Sequence, residues 1–294
     1  MQRILRLSLI VGVAFSCSWQ ARQACSADSP TKMPIKIPMQ TDGGMPTIEL
    51  MVNGKGPFVF GIDTGAQGGA RIDSSLLEKL ALKPSGQVQA TDGSGRNPQM
   101  AEMVKLESVE IGGLRFADVT AGSRNYRKSP RPLNVDGILG LSVFAEYLVT
   151  LDFPAKVLRI EKGELPKADG AEILDYKSKG DIPLLELSVG STKIDAHLDS
   201  GNMIGAFVLP TAFAEKLTRA SEPTVVGHAR SASGEMQIKQ VRVKDVVRLG
   251  RHEFTDATVT YPALSDIGNV GIKVLSQFVI TFDQQHERVR LMRP

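Results

Sequence analysis

The chain has 294 residues, 42% of them hydrophobic and 23% charged, with 35 Lys and Arg against 32 Asp and Glu. That length accommodates two domain-sized units, and so even a charge balance leaves no electrostatic footprint for nucleic acid. The only long apolar run is N-terminal, and it is too short to span a bilayer.

That run opens the series of predicted elements. Arg3 and Arg6, the apolar stretch from Leu7 to Phe15 and the small residues at Cys25-Ser-Ala27 form a secretory signal pattern over residues 1–27. Cleavage after Ala27 removes three arginines and no acidic residue, leaving 32 basic against 32 acidic side chains. It also removes Cys17 and Cys25, so the mature protein is expected to carry no thiol and to suit an oxidising compartment such as the periplasm. A lipoprotein processing site ending at Cys17 is the competing reading, against which Phe15 counts.

From Thr47 to Val52 and again from Pro57 to Ile62 apolar residues recur around the turn Asn53-Gly-Lys-Gly, a hairpin signal. The hairpin ends on Asp63-Thr64-Gly65. Asp73 to Leu80 reads as a short helix with Asp73 as N-cap. Ala90 to Arg96 reads as a glycine-rich hairpin tip, and the loop Arg124 to Arg131 as a basic, solvated segment. Ile138-Leu139-Gly140 and the run Tyr147 to Asp152 complete the first half.

A polar stretch, Glu161 to Gly170, follows, and then the pattern returns. Leu184 to Val189 and Ile194 to Leu198 form a second hairpin, which ends on Asp199-Ser200-Gly201. Pro210 to Leu217 is a short helical pattern with Pro210 suited to its first turn. Ser231 to Glu235 is a second glycine-containing tip, Gly250 to Phe254 echoes Gly112 to Phe116, and Phe278 to Asp283 echoes Tyr147 to Asp152. These echoes define two copies of one β-rich unit, residues 34–162 and 171–293. The many short β-type runs between Gly, Pro and Asn/Asp turns place the chain in the all-β class, as two pseudo-symmetric lobes with short helices.

The chemistry follows from the repeated carboxylate. Two carboxyl groups within hydrogen-bond reach cannot both ionise cheaply, so Asp63 and Asp199 would share a proton and titrate as a unit. Such a pair can deprotonate a water attacking a carbonyl while protonating the carbonyl oxygen. Gly65 and Gly201 permit tight turns and close approach of the two loops, and the hydroxyls of Thr64 and Ser200 can bond across the junction. His197, His228, His252 and His286 lack metal-ligand spacing, so no metal or cofactor is expected and they read as surface or strand residues. Asp199-Ser-Gly is only superficially like a serine nucleophile loop, since Leu198 stands where that loop has Gly. Asp152 and Asp283 recur in phase as well, and a structural turn role suits them.

Phe60-Gly-Ile-Asp63-Thr-Gly-Ala66 resembles the active-site loop of retropepsin-like aspartic peptidases, and Ile138-Leu139-Gly140 resembles that family's hydrophobic-hydrophobic-Gly signature. Val270-Gly271 and His197-Leu-Asp199-Ser-Gly201 stand at the corresponding places of the second copy. The resemblance implies two retropepsin-like β-barrel lobes arranged as in pepsin. It further implies an exported aspartic endopeptidase with Asp63 and Asp199 as the catalytic pair, braced by Thr64, Gly65, Ser200 and Gly201. With both carboxylates in one chain, a monomer acting on a peptide or protein substrate is the simpler expectation. Flap residues would be Asp92, Gly93, Ser94 and Gly95 in the first lobe, with Ser233 and Gly234 in the second. Asn202 and Asn269 depart from the family pattern, and they motivate an alternative: a catalytically weak or inactive peptide-binding module of the cell envelope. A purely structural envelope protein is a third reading, which leaves the paired carboxylates without a purpose.

Overall fold

The computed structural model describes residues 33–42, 44–90, 99–127, 133–231, 234–263 and 266–294. Residues 1–27, read as a signal pattern, Asp92 to Gly95, Ser233 and the second half of the basic loop, 128–131, therefore lie outside the described residues. The first half supplies β1 (Ile35–Pro38), β2 (Thr47–Val52), β3 (Lys55–Ile62), β4 (Ala70–Asp73), α1 (Ser75–Lys79), β5 (Gly86–Ala90), β6 (Gln99–Ile111), β7 (Leu114–Arg124), β8 (Gly137–Leu139), β9 (Leu148–Asp152) and β10 (Val157–Glu161). The second half supplies β11 (Ile173–Asp175), β12 (Lys177–Lys179), β13 (Ile182–Val189), β14 (Thr192–Asp199), β15 (Phe207–Val208), α2 (Thr211–Ala214), β16 (Thr224–Ser231), β17 (Gly234–Arg242), β18 (Val247–Leu249), β19 (His252–Phe254), β20 (Thr258–Tyr261), β21 (Gly268–Gly271), α3 (Ile272–Leu275), β22 (Val279–Asp283) and β23 (Arg288–Met292). Among the described residues no helix is long and apolar enough to cross a membrane.

In the first lobe the strands follow the order β2-β3-β8-β4-β7-β6, and β6 returns to β2 through Met51↔Glu110 and Val52↔Val109. The sheet thus closes into a six-stranded barrel, with β5 appended to β6. Closure removes the exposed edges that an open sheet must otherwise protect. The second lobe repeats the order with β13-β14-β21-β15-β20-β17, but its counterpart of β6 is broken into β17 and β18. At the break the backbone turns to other partners: Lys244 N–H donates to Thr218 O, and Asp245 accepts from the Thr218 N–H. The second lobe is accordingly a half-barrel, wedged open by the chain that follows α2.

A third sheet joins the lobes, in the order β1-β10-β9-β22-β23-β11. Its middle pair, β9 and β22, runs antiparallel with Thr150 opposite Thr281, and the two buried hydroxyls lie 2.9 Å apart. Leu-Val-Thr-Leu and Val-Ile-Thr-Phe are buried throughout. That burial explains why both strands read as continuous apolar runs instead of alternating ones. Asp152 and Asp283 act in turns, as their position suggests: Asp152 accepts from the Ala155 N–H and Asp283 from those of His286 and Leu165. Through Leu165, which is buried, the polar stretch between the halves is fastened to the joining sheet.

The short helices fall where the sequence puts them, with one correction. Asp73 does not cap α1; Ser74 holds the N-cap position without a side-chain bond. Asp73 ends β4, where its carboxylate accepts the N–H groups of Ser75 and Tyr126 and meets Arg127. A carboxylate on a strand end can serve three partners there, whereas a cap serves one helix turn. Pro210 does precede α2, whose first bonds run to its carbonyl.

The threonine pair at the lobe junction yields a test. Thr150→Val or Thr281→Val alone leaves a buried hydroxyl without its partner and should cost about 1–3 kcal/mol, whereas the double variant should recover most of that loss. Urea unfolding of the three variants checks it, and additive losses would contradict the pairing.

Candidate active site

Parallel pairing delivers the two tripeptides to one place. β3 runs beside β8 with Ile62 opposite Leu139, and β14 runs beside β21 with Leu198 opposite Val270. The loop after each tripeptide then folds over the glycine that ends the neighbouring motif. Gly140 N–H donates to Gly69 O and Gly271 N–H to Ala206 O, each at 2.9 Å. A Cβ at Gly140 or Gly271 would overlap a backbone carbonyl of that loop, which is why the apolar pair must be followed by Gly.

The loops are locked together by the hydroxyls that follow the two aspartates. Thr64 donates from Oγ1 to Leu198 O at 2.6 Å, and Ser200 donates from Oγ to Ile62 O at 2.7 Å. In return Thr64 N–H donates to Ser200 Oγ and Ser200 N–H to Thr64 Oγ1, both at 3.0 Å. Four bonds thus cross between lobes at two buried side chains. A Cβ on Gly65 would lie 2.6 Å from the Asp199 carboxyl carbon, and one on Gly201 2.7 Å from that of Asp63. Only glycine lets each loop slide beneath the opposite carboxylate.

The two carboxyl groups perturb each other. Burial, then the adjacent Asp199 charge, pushes the Asp63 carboxyl up to about 7, while Arg71 pulls the other way. Burial raises Asp199 as well, but donors oppose it there: the Asn269 amide, the proton of Asp63, and the N–H groups of Gly201 and Asn202. A pair in which one member keeps its proton is the state the chemistry of paired carboxylates requires.

Asp63, Thr64, Gly65, Asp199, Ser200 and Gly201 are therefore brought together as the sequence implies. Gly234 opens β17 opposite Ser231 in the β16–β17 hairpin, the counterpart of β5–β6. Three side chains beside Asp199 carry more than the sequence reading gave them. Asn269 donates from Nδ2 to Asp199 Oδ2 at 2.6 Å, Asn202 donates from Nδ2 to Asn269 Oδ1 at 2.6 Å, and His197 Nε2 lies 3.9 Å from Asp199 Oδ2. By strand register Asn269 and His197 correspond to Ile138 and Gly61 of the first lobe, and Asn202, the residue after its tripeptide, corresponds to Ala66. There Ala66 and Ile138 pack in an apolar cluster with Met45, Tyr126 and Val135. Burial pushes the His197 ring down to about 4, so it is neutral at ordinary pH. The signal for this polar shell was the loss of apolar pattern in the second copy. Among the described residues no group of three or more His, Cys, Asp or Glu could hold a metal ion.

Two closed or half-closed β-barrels, each giving one carboxylate to a common junction, define an acid-protease architecture. Residues 48–143, about a third of the chain, match the family model described as aspartyl protease. Over those residues the first lobe is similar to retropepsin-like aspartyl proteases, which supports a protease function. No curated protein matches the chain.

The geometry makes two predictions. Thr64→Val removes one donor and one acceptor from the cross-lobe bonds and should destabilise the fold by about 2–4 kcal/mol, with Ser200→Ala similar; denaturant unfolding measures both. Stability should also fall with pH. Asp63 binds its proton more tightly when folded, 3.8 rising to about 7, so the folded chain holds more protons across that interval. The stabilisation is full below the unfolded value and lost as pH rises through about 7. Thermal unfolding from about pH 4 to 8 should show Tm falling in the parent and a flatter profile in Asp63→Asn; equal slopes would contradict the shifted carboxyl.

Proposed function

We propose that the chain is an exported aspartic endopeptidase, a hydrolase that cleaves peptide bonds with water activated by the Asp63/Asp199 pair. The observation that carries this reading is the reciprocal bonding of Thr64 and Ser200, which holds one carboxylate from each lobe against the other. A water between the carboxylates loses a proton to the charged one as it attacks the carbonyl carbon, and the protonated one donates to the carbonyl oxygen. Thr64, Gly65, Ser200 and Gly201 keep the pair in register for that exchange.

The lobes correspond to residues 34–162 and 171–293 as products of an internal duplication, a division supported by their matching strand orders. The β5–β6 and β16–β17 hairpins serve as flaps over an extended peptide. Both carboxylates come from one chain, so the enzyme works as a monomer. The N-terminal signal pattern directs it to the periplasm.

Cleavage of a peptide library by the mature chain from about pH 4 to 8 tests the proposal. Asp63→Asn and Asp199→Asn should each lower kcat by roughly a thousandfold while keeping the fold. Parent activity should fall as pH rises through about 7, where the shared proton leaves. Undiminished cleavage by either variant overturns the mechanism. Peptide binding without turnover at any pH identifies the chain as a binding module instead.

A further inference from the structure

We propose that Asn269, held by Asn202, fixes the polarity of the carboxylate pair: Asp199 carries the charge and acts as base, and Asp63 carries the proton and acts as acid. This rests on the reading of the pair as catalytic, and Asn269 enters as a positioning residue.

The direction of the amide chain is set by a group that cannot turn around. Ile204 N–H can only donate, and it donates to Asn202 Oδ1 at 2.9 Å. Asn202 therefore presents Nδ2 to Asn269 Oδ1, and Asn269 in turn must present Nδ2 to Asp199 Oδ2. Flipping either amide would set donor against donor at Ile204 or acceptor against acceptor at the carboxylate. The last acceptor of the series is thus an oxygen of Asp199.

The four carboxyl oxygens then differ. Asp199 Oδ1 accepts the Gly201 N–H and Asp199 Oδ2 the Asn269 amide. Asp63 Oδ1 accepts the Gly65 N–H, whereas Asp63 Oδ2 meets no amide donor among the described residues. Donors favour charge on the oxygens they meet, so the shared proton belongs on Asp63 Oδ2. The surroundings agree. On the Asp63 side Ala66, which follows the tripeptide, packs with Ile138, Met45 and the buried Tyr126, whose hydroxyl is pushed by burial up to about 12 and stays neutral. The charged and titratable groups facing the pair are Arg71 and Tyr126 on the Asp63 side and His197, which lies 3.9 Å from Asp199 and also senses the Asp63 charge. Arg71, half-buried, favours charge on Asp63, and its guanidinium is also engaged with Gln67 O. His197 is neutral and offers no cation to Asp199 above about pH 4.

The reaction then has a direction. Asp199 takes a proton from water as the new C–O bond forms; the carbonyl π pair moves to its oxygen, which takes the Asp63 proton. In the collapse Asp63 recovers a hydroxyl proton as the carbonyl reforms, the C–N bond breaks, and the leaving nitrogen takes the proton from Asp199. The starting state returns without any other reactant.

Carbon-13 NMR titration of aspartate-labelled protein tests the assignment without requiring turnover. With Asp63→Asn the remaining Asp199 should titrate at lower pH than does Asp63 in Asp199→Asn. Adding Asn269→Ile, which copies the first lobe, should raise the Asp199 titration by about one pH unit, tenfold in proton affinity. Asn202→Ala should raise it less, in the same direction, and stands in if the isoleucine variant does not fold. In a cleaving parent, Asn269→Ile should move the acid limb of the kcat/KM profile upward by the same amount. A protein that cleaves nothing but titrates as described refutes the peptidase and leaves the polarity intact. An unmoved Asp199 titration in the folded Asn269→Ile or Asn202→Ala variant, or an Asp63 more acidic than Asp199, overturns the polarity.

Discussion

The exchange of hydrogen bonds between Thr64 and Ser200 is the constraint on which the site depends. Each hydroxyl donates to a backbone carbonyl of the opposite lobe and accepts an N–H from it, so neither loop can shift without orphaning buried groups on both sides. The glycines beneath the carboxylates, the parallel pairing of β3 with β8 and β14 with β21, and the loops folded over Gly140 and Gly271 all serve to bring those two hydroxyls to one point. The carboxylates ride on that junction and inherit its spacing.

Symmetry of the frame coexists with asymmetry of the surroundings. The first barrel closes and lines its side of the junction with apolar side chains. The second is opened by the segment after α2 and lines its side with amides and an imidazole. Two identical acids in one frame thereby receive different environments, which is the usual physical route to distinct proton affinities at paired carboxylates.

Much of this was legible in the sequence because it is local. The hairpins before Asp63 and Asp199, the turn glycines and the hydrophobic-hydrophobic-Gly motifs are written in neighbouring residues, and their recurrence exposes the two lobes. What is not local was hidden. The pairing of Thr150 with Thr281 joins positions 131 residues apart, so the runs around them read only as echoes of each other and not as partners. Asn202 and Asn269 looked like losses of family pattern; their value lies in a contact between positions 67 residues apart. Asp73 illustrates the opposite failure. A good local reason, an acidic residue before a helical run, was outweighed by the tertiary bonds to Tyr126 and Arg127.

The joining sheet has a consequence for how the chain could be divided. About Thr150 and Thr281 the register of β9 with β22 reads the same from both ends: Leu151 faces Ile280 as Val149 faces Phe282. Each lobe thus uses the other as the cover for its own open strand edge, and a fragment ending near Glu161 would bare an apolar edge complementary to itself. Two such fragments could meet edge to edge about Thr150 and rebuild a two-carboxylate junction from two copies of Asp63, with the apolar surroundings of the first lobe on both sides.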